Sequence, residues 1–335
     1  MRADYKKLDL NDTVLVTGGA GFIGFHLSKL LLEKGVKKVI GFDNLNDYYS
    51  PKLKQDRLDV LAKYDNYEFI KGDLSNRNSL ETVFKDEKPT IVVNLGGQAG
   101  VRYSITHPDE YIQSNLIGFF NVLECCRNYP VKHLLYASSS SVYGANKKIP
   151  FSVEDKTDRP VSLYAATKKS NELMAYSYSH LYKIKATGLR FFTVYGPYGR
   201  PDMAYYSFTQ KILKGEAINV FNNGDMYRDF TYVDDIVEAI SRMVNNPPIC
   251  DKDGVMHKVY NIGNNKPEKL MDYINTLEGC LGVKAKINFM PMQAGDVYRT
   301  YADVTDLMND FDFKPSTSIK EGLSRFVEWY LKANE

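Results

Sequence analysis

No stretch of the 335-residue chain offers the roughly 20 consecutive apolar residues that a membrane helix needs. Residues Met1 to Asn11 carry charge with no apolar core behind them, so no secretory signal is expected. Neither charge sign is in excess: 43 lysines and arginines face 41 aspartates and glutamates, interspersed, for a formal net charge of +2. That excludes the basic stripe of a nucleic-acid surface and the polybasic patch of a membrane-surface protein. Cysteine is scarce. Cys125, Cys126, Cys250 and Cys280 form neither a C-x-x-C pair nor a zinc spacing, so no metal is expected. Adjacent Cys125 and Cys126 suit a reduced, buried helix and hence a cytoplasmic setting. Internal repeats and low-complexity segments are missing too.

What is present is ordinary for a globular protein, with 44% apolar and 25% charged residues. The length calls for one large or two closely joined domains. Short β-rich runs at Thr13–Thr17, Lys38–Asp43, Glu68–Lys71, Ile91–Leu95 and His133–Ser138 alternate with helical patterns, among them Phe22–Lys34, Asn78–Lys85 and Glu110–Arg127. This order predicts an α/β fold, a doubly wound parallel sheet with helices on both faces. After Tyr195, glycine, proline and asparagine cluster at four places, and the chain reads as smaller elements building a substrate domain, with helical spacing at Val233–Val244 and Ile319–Ala333.

The sharpest local signal is Thr17-Gly18-Gly19-Ala20-Gly21-Phe22-Ile23-Gly24, where a strand must turn into a helix. Glycine permits positive φ there and lets a pyrophosphate approach the backbone, while the helix N-terminus offers free N–H groups. Asp43 closes the second strand about 20 residues further on, where an acid binds the ribose 2′-hydroxyl of NAD and repels the extra phosphate of NADP. A glycine turn without a ligand explains the first feature but not the three together. Asp73, after the third strand, is either an adenine contact or a helix N-cap.

Tyr164 and Lys168 in Tyr164-Ala165-Ala166-Thr167-Lys168 stand at i and i+4, on one helix face. A lysine ammonium beside a phenol favours phenolate, and such a tyrosine can take a hydroxyl proton while hydride leaves the same carbon. Alone the match is weak, since the chain has 25 tyrosines. The run Ser138-Ser139-Ser140-Ser141-Val142-Tyr143-Gly144 follows a strand, so its hydroxyls face the ligand crevice or form a solvated turn.

Taken in order, the glycine turn, the serine run and Tyr164/Lys168 resemble the extended short-chain dehydrogenase/reductase family over nearly the whole chain. The resemblance implies Tyr164 as catalytic acid/base, Lys168 as its partner, and Ser139 or Ser141 at the sugar oxygen. It implies an NAD site made by Gly18, Gly21, Phe22, Ile23, Gly24, Asp43, Asn44, Asp73, Leu74, Leu95, Gly96 and Gly97, with Tyr164 and Lys168. It also implies a homodimer formed by two helices per subunit. The corresponding domain division is residues 1–194 with about 231–262 for NAD, and 195–230 with 263–335 for the sugar nucleotide.

Further segments resemble the UDP-glucuronate 4-epimerase branch: Gln98 to Ser104, Gly196 to Met203, Arg228 to Asp235, Gly295-Asp296-Val297 and Phe313 to Thr317. That branch implies a UDP-sugar substrate, its carboxylate near Thr193 and Arg200, with Arg102 and Ser104 from a neighbouring loop. Ser139, Ser140 and Ser141 would meet the sugar, and Arg228 and Asp296 the diphosphate and ribose. Arginine suits such work because its planar fork pairs with carboxylate or phosphate, though each arginine here also fits a structural ion pair. Two departures stand out. Asn94-Leu95-Gly96-Gly97 replaces the branch's usual His-Leu-Ala-Ala, and Tyr298-Arg299 replaces a less bulky pair. The plant members' membrane anchor is not expected here.

Competing readings are a UDP-glucuronate decarboxylase, which shares most motifs, and a 4-epimerase of neutral UDP-hexoses or UDP-N-acetylhexosamines. A dTDP-glucose dehydratase would want an acidic pair near the serine run, where there is none. A non-catalytic NAD-binding regulator is disfavoured by the retained Tyr164 and Lys168.

Overall fold

The computed structural model describes residues 2–293 and 297–334. Thr13–Thr17 (β1), Lys38–Asp43 (β2), Tyr67–Lys71 (β3), Ile91–Asn94 (β4), His133–Ser139 (β5) and Ala186–Phe191 (β6) are strands. Thr193–Tyr195 (β7), Ala217–Val220 (β8), Tyr227–Tyr232 (β9), His257–Ile262 (β10), Pro267–Lys269 (β11) and Lys286–Phe289 (β12) follow. Among the described residues, seven of these form an all-parallel sheet in the order β10-β6-β5-β4-β1-β2-β3.

Both faces of this sheet are covered, which is why its central strands are apolar without polar alternation. Val14 and Val16 point to one face and pack with Leu27, Leu31, Val237 and Ile240 of the helices Phe22–Glu33 and Val233–Met243. Leu15, between them, points to the other face and packs with Val83, Phe119 and Ala175 of the helices Arg77–Glu87, Gly118–Asn128 and Leu163–Tyr182. Each such fully buried aliphatic side chain contributes roughly 1.5–3 kcal/mol. The doubly wound α/β arrangement is therefore as expected.

The sheet β11-β9-β7 and the pair β12-β8 lie with the helices Ala204–Leu213, Leu270–Leu281 and Ile319–Ala333 around a separate aromatic cluster that includes Tyr195, Tyr205, Phe230, Tyr273 and Phe326.

Some elements differ from expectation. The helix expected over Glu110–Arg127 is interrupted: Pro108–Tyr111 is α-helical, Ile112–Ile117 is π-helical, and Gly118–Asn128 resumes the α-helix. The wide turn carries Ser114 and Asn115 to the backbone N–H of Gln98, which donates to both (3.0 and 2.8 Å). The helix Pro51–Leu61 was not expected, because its buried face mixes Leu53, Leu58 and Leu61 with Lys54 and Arg57 and so shows no clean apolar period. Strand β6 is hidden in sequence for the same reason: Thr187 and Arg190 are buried within it.

Candidate active site

Strand order reverses between β1 and β4, so the loops leaving their carboxyl ends diverge and open a crevice. The walls meet very closely at its base. Gly18 has φ +66°, and a Cβ on it would lie 2.8 Å from the Gly96 nitrogen. A Cβ on Gly24 would lie 2.1 Å from the Gly18 carbonyl oxygen. Thr17 ties the two loops together: its hydroxyl donates to Asn94 Oδ1 (2.6 Å) and accepts from the Gly96 N–H (3.1 Å). This gives Asn94 a definite role in place of the histidine usual in the branch. Gly97, at φ +147°, leaves room for Asn115 Oδ1, which a Cβ would meet at 2.6 Å.

Gly21 begins the helix Phe22–Glu33 with no side-chain cap, and no acid occupies the first turn. The free amides of that turn therefore suit an anion. Asp43 Oδ2 accepts from the Ala20 N–H (3.2 Å) and Oδ1 from the Leu45 N–H (2.9 Å), so the acid is fixed beside the turn. Asp73 accepts from Asn44 Nδ2 (2.8 Å) and from both the N–H and hydroxyl of Ser75 (2.8 and 2.7 Å). Burial pushes the Asp73 carboxyl up, but these hydrogen bonds outweigh it and hold it below the usual range. It is not a helix N-cap, since Asn76 caps the helix Arg77–Glu87 by accepting from the Ser79 N–H. Gly18, Gly21, Phe22, Ile23, Gly24, Asp43, Asn44, Asp73, Leu74, Leu95, Gly96 and Gly97 all line this one cleft, as do Tyr164, Lys168, Ser139 and Arg200. The glycine cradle, the uncapped helix start and the acid at the strand end fit a dinucleotide.

Ser162 caps the helix Leu163–Tyr182 by accepting from the Ala165 N–H (3.1 Å), which puts Tyr164 in the first turn with Lys168 one turn on. Lys168 is buried, its Nζ donates to the Ala137 carbonyl (3.2 Å), and burial lowers its pKa to about 8. Burial pushes the Tyr164 hydroxyl above its ordinary value, opposed by the neighbouring Ser139 hydroxyl and the Arg200 charge. Ser139 Oγ accepts from the Ser141 N–H and donates to Ser141 Oγ, both at 3.1 Å.

Arg200 is engaged side-on by Asp202, with Nε on one carboxylate oxygen (3.0 Å) and Nη2 on the other (2.5 Å). Asp202 also accepts from the Tyr48 hydroxyl (3.1 Å). The ion-pair alternative for Arg200 is thus real, and it coexists with a place in the cleft.

The other expected substrate residues are dispersed. Ser140, Ser141, Thr193 and Arg228 line a second cavity rather than the first. Arg228 Nη1 donates to the carbonyls of Tyr227 (2.9 Å) and Tyr298 (3.2 Å). Arg102 is exposed and lies over the Phe221 ring, 5.4 Å from its centroid. The Ser104 hydroxyl donates to the Val101 carbonyl within its own loop (2.6 Å). Ser138 donates to Glu172 Oε1 (2.7 Å), part of a buried pair with Arg190. Arg299 stacks on Tyr227 (4.3 Å). Asp296 lies outside the described residues.

Sequence reasoning missed Asn115. Its amide donates to the Gln98 carbonyl (3.0 Å) and to Thr167 Oγ1 (3.1 Å), joining the β4 loop to the helix Leu163–Tyr182. Gln113, Ser114 and Asn121 are polar neighbours of Asn115 in sequence, so nothing there marked it out.

A parallel sheet with a glycine turn at its switch point and a Tyr164/Lys168 pair facing the same crevice defines an enzyme of the dinucleotide-dependent, Rossmann class. Within that class the chain belongs to the NAD dependent epimerase/dehydratase family, which it matches over residues 14–263. It is 56% identical over 330 residues to protein CapI of Staphylococcus aureus, covering 95% of this chain and 98% of that one. It is 45% identical to a probable UDP-glucuronate 4-epimerase of Rhizobium meliloti, covering 94% and 96% of the two chains. The crystal structure of a Bacillus cereus UDP-glucuronic acid 4-epimerase, in complex with UDP-glucuronic acid and NAD, superposes with a TM-score of 0.88 at 30% identity, covering 96% and 99%.

Proposed function

We infer that this protein is an NAD-dependent isomerase that converts UDP-glucuronate to UDP-galacturonate through a 4-keto sugar. The observation that carries the reading is the Arg200 guanidinium, which lines the same cleft as Tyr164, Lys168 and Ser139 and acts electrostatically on Tyr164. NAD, held by the glycine turn and Asp43, would supply reversible hydride exchange at sugar C4. Tyr164 takes the 4-hydroxyl proton and gives one back. The Ser139 hydroxyl and the Arg200 charge both favour its anionic form, opposing burial. Lys168, a cation below about pH 8, holds that end of the crevice positive.

The 4-keto sugar is a β-keto acid and loses carbon dioxide when its C5–carboxylate bond aligns with the carbonyl. Arg200 pairs with Asp202 through Nε and Nη2, and its guanidinium is the group that would meet the sugar carboxylate. The uridine diphosphate falls to the second cavity, with Arg228 and Thr193 on its wall and the serine run between the two cavities. Residues 1–194 with about 231–262 form the NAD-binding part, and 195–230 with 263–335 the sugar-nucleotide part.

Ile117, Phe120, Leu173 and Tyr176 are 40%, 37%, 60% and 42% exposed on the helical segments Ile112–Ile117, Gly118–Asn128 and Leu163–Tyr182, which supports a homodimer through these faces. Sedimentation as a monomer at micromolar concentration would remove that. No described helix is long and apolar enough to cross a membrane, and the four cysteines are free, which supports a cytoplasmic site of action.

The deciding experiment is an NMR product assay with UDP-glucuronate and no added reductant. Approach to a UDP-glucuronate/UDP-galacturonate equilibrium without net NADH establishes the reading. A UDP-pentose product replaces it with the decarboxylase.

A further inference from the structure

Arg57 belongs to the helix Pro51–Leu61, outside both the glycine turn and the catalytic helix, and is 0% exposed. Every N–H of its guanidinium is used. Nη1 donates to the Ala20 carbonyl and the Tyr49 hydroxyl, both at 2.7 Å. Nε and Nη2 donate to the Tyr198 carbonyl (3.2 and 2.7 Å), and Nη2 also reaches the Gly199 carbonyl (3.4 Å). All these acceptors are neutral carbonyl or hydroxyl oxygens, so none of the hydrogen bonds printed for Arg57 is to a carboxylate. A buried cation without a counter-ion is costly. Leu53, Leu58 and Leu61 are the other large buried apolar side chains of this helix. The charge persists where its geometry is needed.

That geometry joins two functional loops. Ala20 sits inside the glycine turn, and Tyr198 and Gly199 immediately precede Arg200. The second loop has little slack. Tyr198 is held at φ +55°, unusual for a side chain of its size, with its ring wedged between Phe25 (4.8 Å) and Trp329 (4.9 Å). His26 Nε2 bonds the Pro197 carbonyl (2.9 Å), and a Cβ on Gly199 would lie 1.8 Å from the Tyr205 hydroxyl.

We propose that Arg57 is a positioning residue that locks the Arg200 loop to the dinucleotide turn, so that the restraint on the sugar carboxylate and the grip on the cofactor diphosphate are set together. Only arginine can do this, since lysine offers donors at one point rather than on a planar fork. The proposal rests on the UDP-glucuronate reading above.

Two readouts test it, and neither depends on the fraction of protein folded. The first is the ratio of decarboxylated pentose to epimer made by Arg57→Lys. The expected rise is on the order of tenfold, because misplacement of a positioning loop changes reaction geometry. The second is cofactor affinity, measured by calorimetry in a Tyr164→Phe background that blocks turnover. With Arg57 present, UDP-glucuronate should tighten NAD binding, and by linkage NAD should tighten UDP-glucuronate equally. In Arg57→Lys that factor should fall toward one. Unchanged product ratio together with unchanged coupling overturns the proposal. If Arg57→Lys does not fold, Tyr198→Gly keeps the left-handed backbone accessible while removing the wedge, and must raise the pentose fraction as well. If the wild-type protein does not act on UDP-glucuronate at all, the substrate reading fails instead. The coupling measurement, run with the sugar nucleotide that is turned over, then decides Arg57 by itself.

Discussion

On the cofactor side of the crevice the shape is set by backbone: a Cβ on Gly18 or Gly24 would collide with neighbouring main chain. On the sugar side it is set by side chains, with Arg200 held by Asp202, Asp202 by Tyr48, and the loop carbonyls by Arg57 and His26. The first kind of wall is rigid and indifferent to pH. The second is ionic and drawn from distant parts of the chain. A site that must grip one cofactor and yet let a keto sugar turn over needs both.

Four changes would break or sharpen this contrast. The largest effect is expected from Tyr164→Phe, which removes the hydroxyl proposed to transfer the proton at the meeting of the two sides. Turnover should fall on the order of 10³-fold while calorimetry still shows NAD binding. Residual activity within tenfold of wild type would remove Tyr164 from the chemistry. Gly24→Ala attacks the backbone wall. Its Cβ would meet the Gly18 carbonyl oxygen at 2.1 Å, so the turn must shift. Loss of NAD affinity and about 1–3 kcal/mol of stability are expected in cofactor titration and denaturant unfolding.

Arg200→Ala attacks the side-chain wall. It should leave NAD affinity near that of wild type but raise pentose relative to epimer on the order of tenfold. An unchanged product ratio would sink the carboxylate restraint.

The smallest effect is a pH dependence. Burial lowers His26, His133 and His257 to about 4, against 6.5 for the free side chain. As pH falls through 6.5 the unfolded chain takes up protons that the fold refuses, so stability present above 6.5 is lost between 6.5 and 4. Each contributes a slope of at most about 1.4 kcal/mol per pH unit. His26→Gln should flatten the unfolding profile over that window, and an unaltered profile would show that folding does not lower the His26 pKa.

The contrast also explains what the sequence made legible. The glycine turn, Asp43 and the Tyr164/Lys168 pair are short-range patterns, and all of them line one cleft. The strands of the large sheet that consist of unbroken aliphatic runs were equally plain. Arg200 stood out as an arginine in a glycine–proline loop, but nothing marked Asp202 as its partner. Thr193 was expected beside Arg200 and instead lines the second cavity. Arg57, Tyr48 and Asn115 act on groups 141, 154 and 52 residues away, and a charge or amide on a mixed-polarity helix gives no periodic signal of that. Helix patterning reports what is apolar and buried. It is silent about polar groups buried to hold something else.

Trp329 is the chain's single tryptophan, and its ring lies 4.9 Å from Tyr198, the residue whose carbonyl Arg57 holds. Indole emission responds to the packing and polarity of its immediate surroundings. One intrinsic fluorophore therefore lies against the Arg200 loop. Stopped-flow fluorescence of the unlabelled protein can follow that loop in real time while a sugar nucleotide enters, turns and leaves.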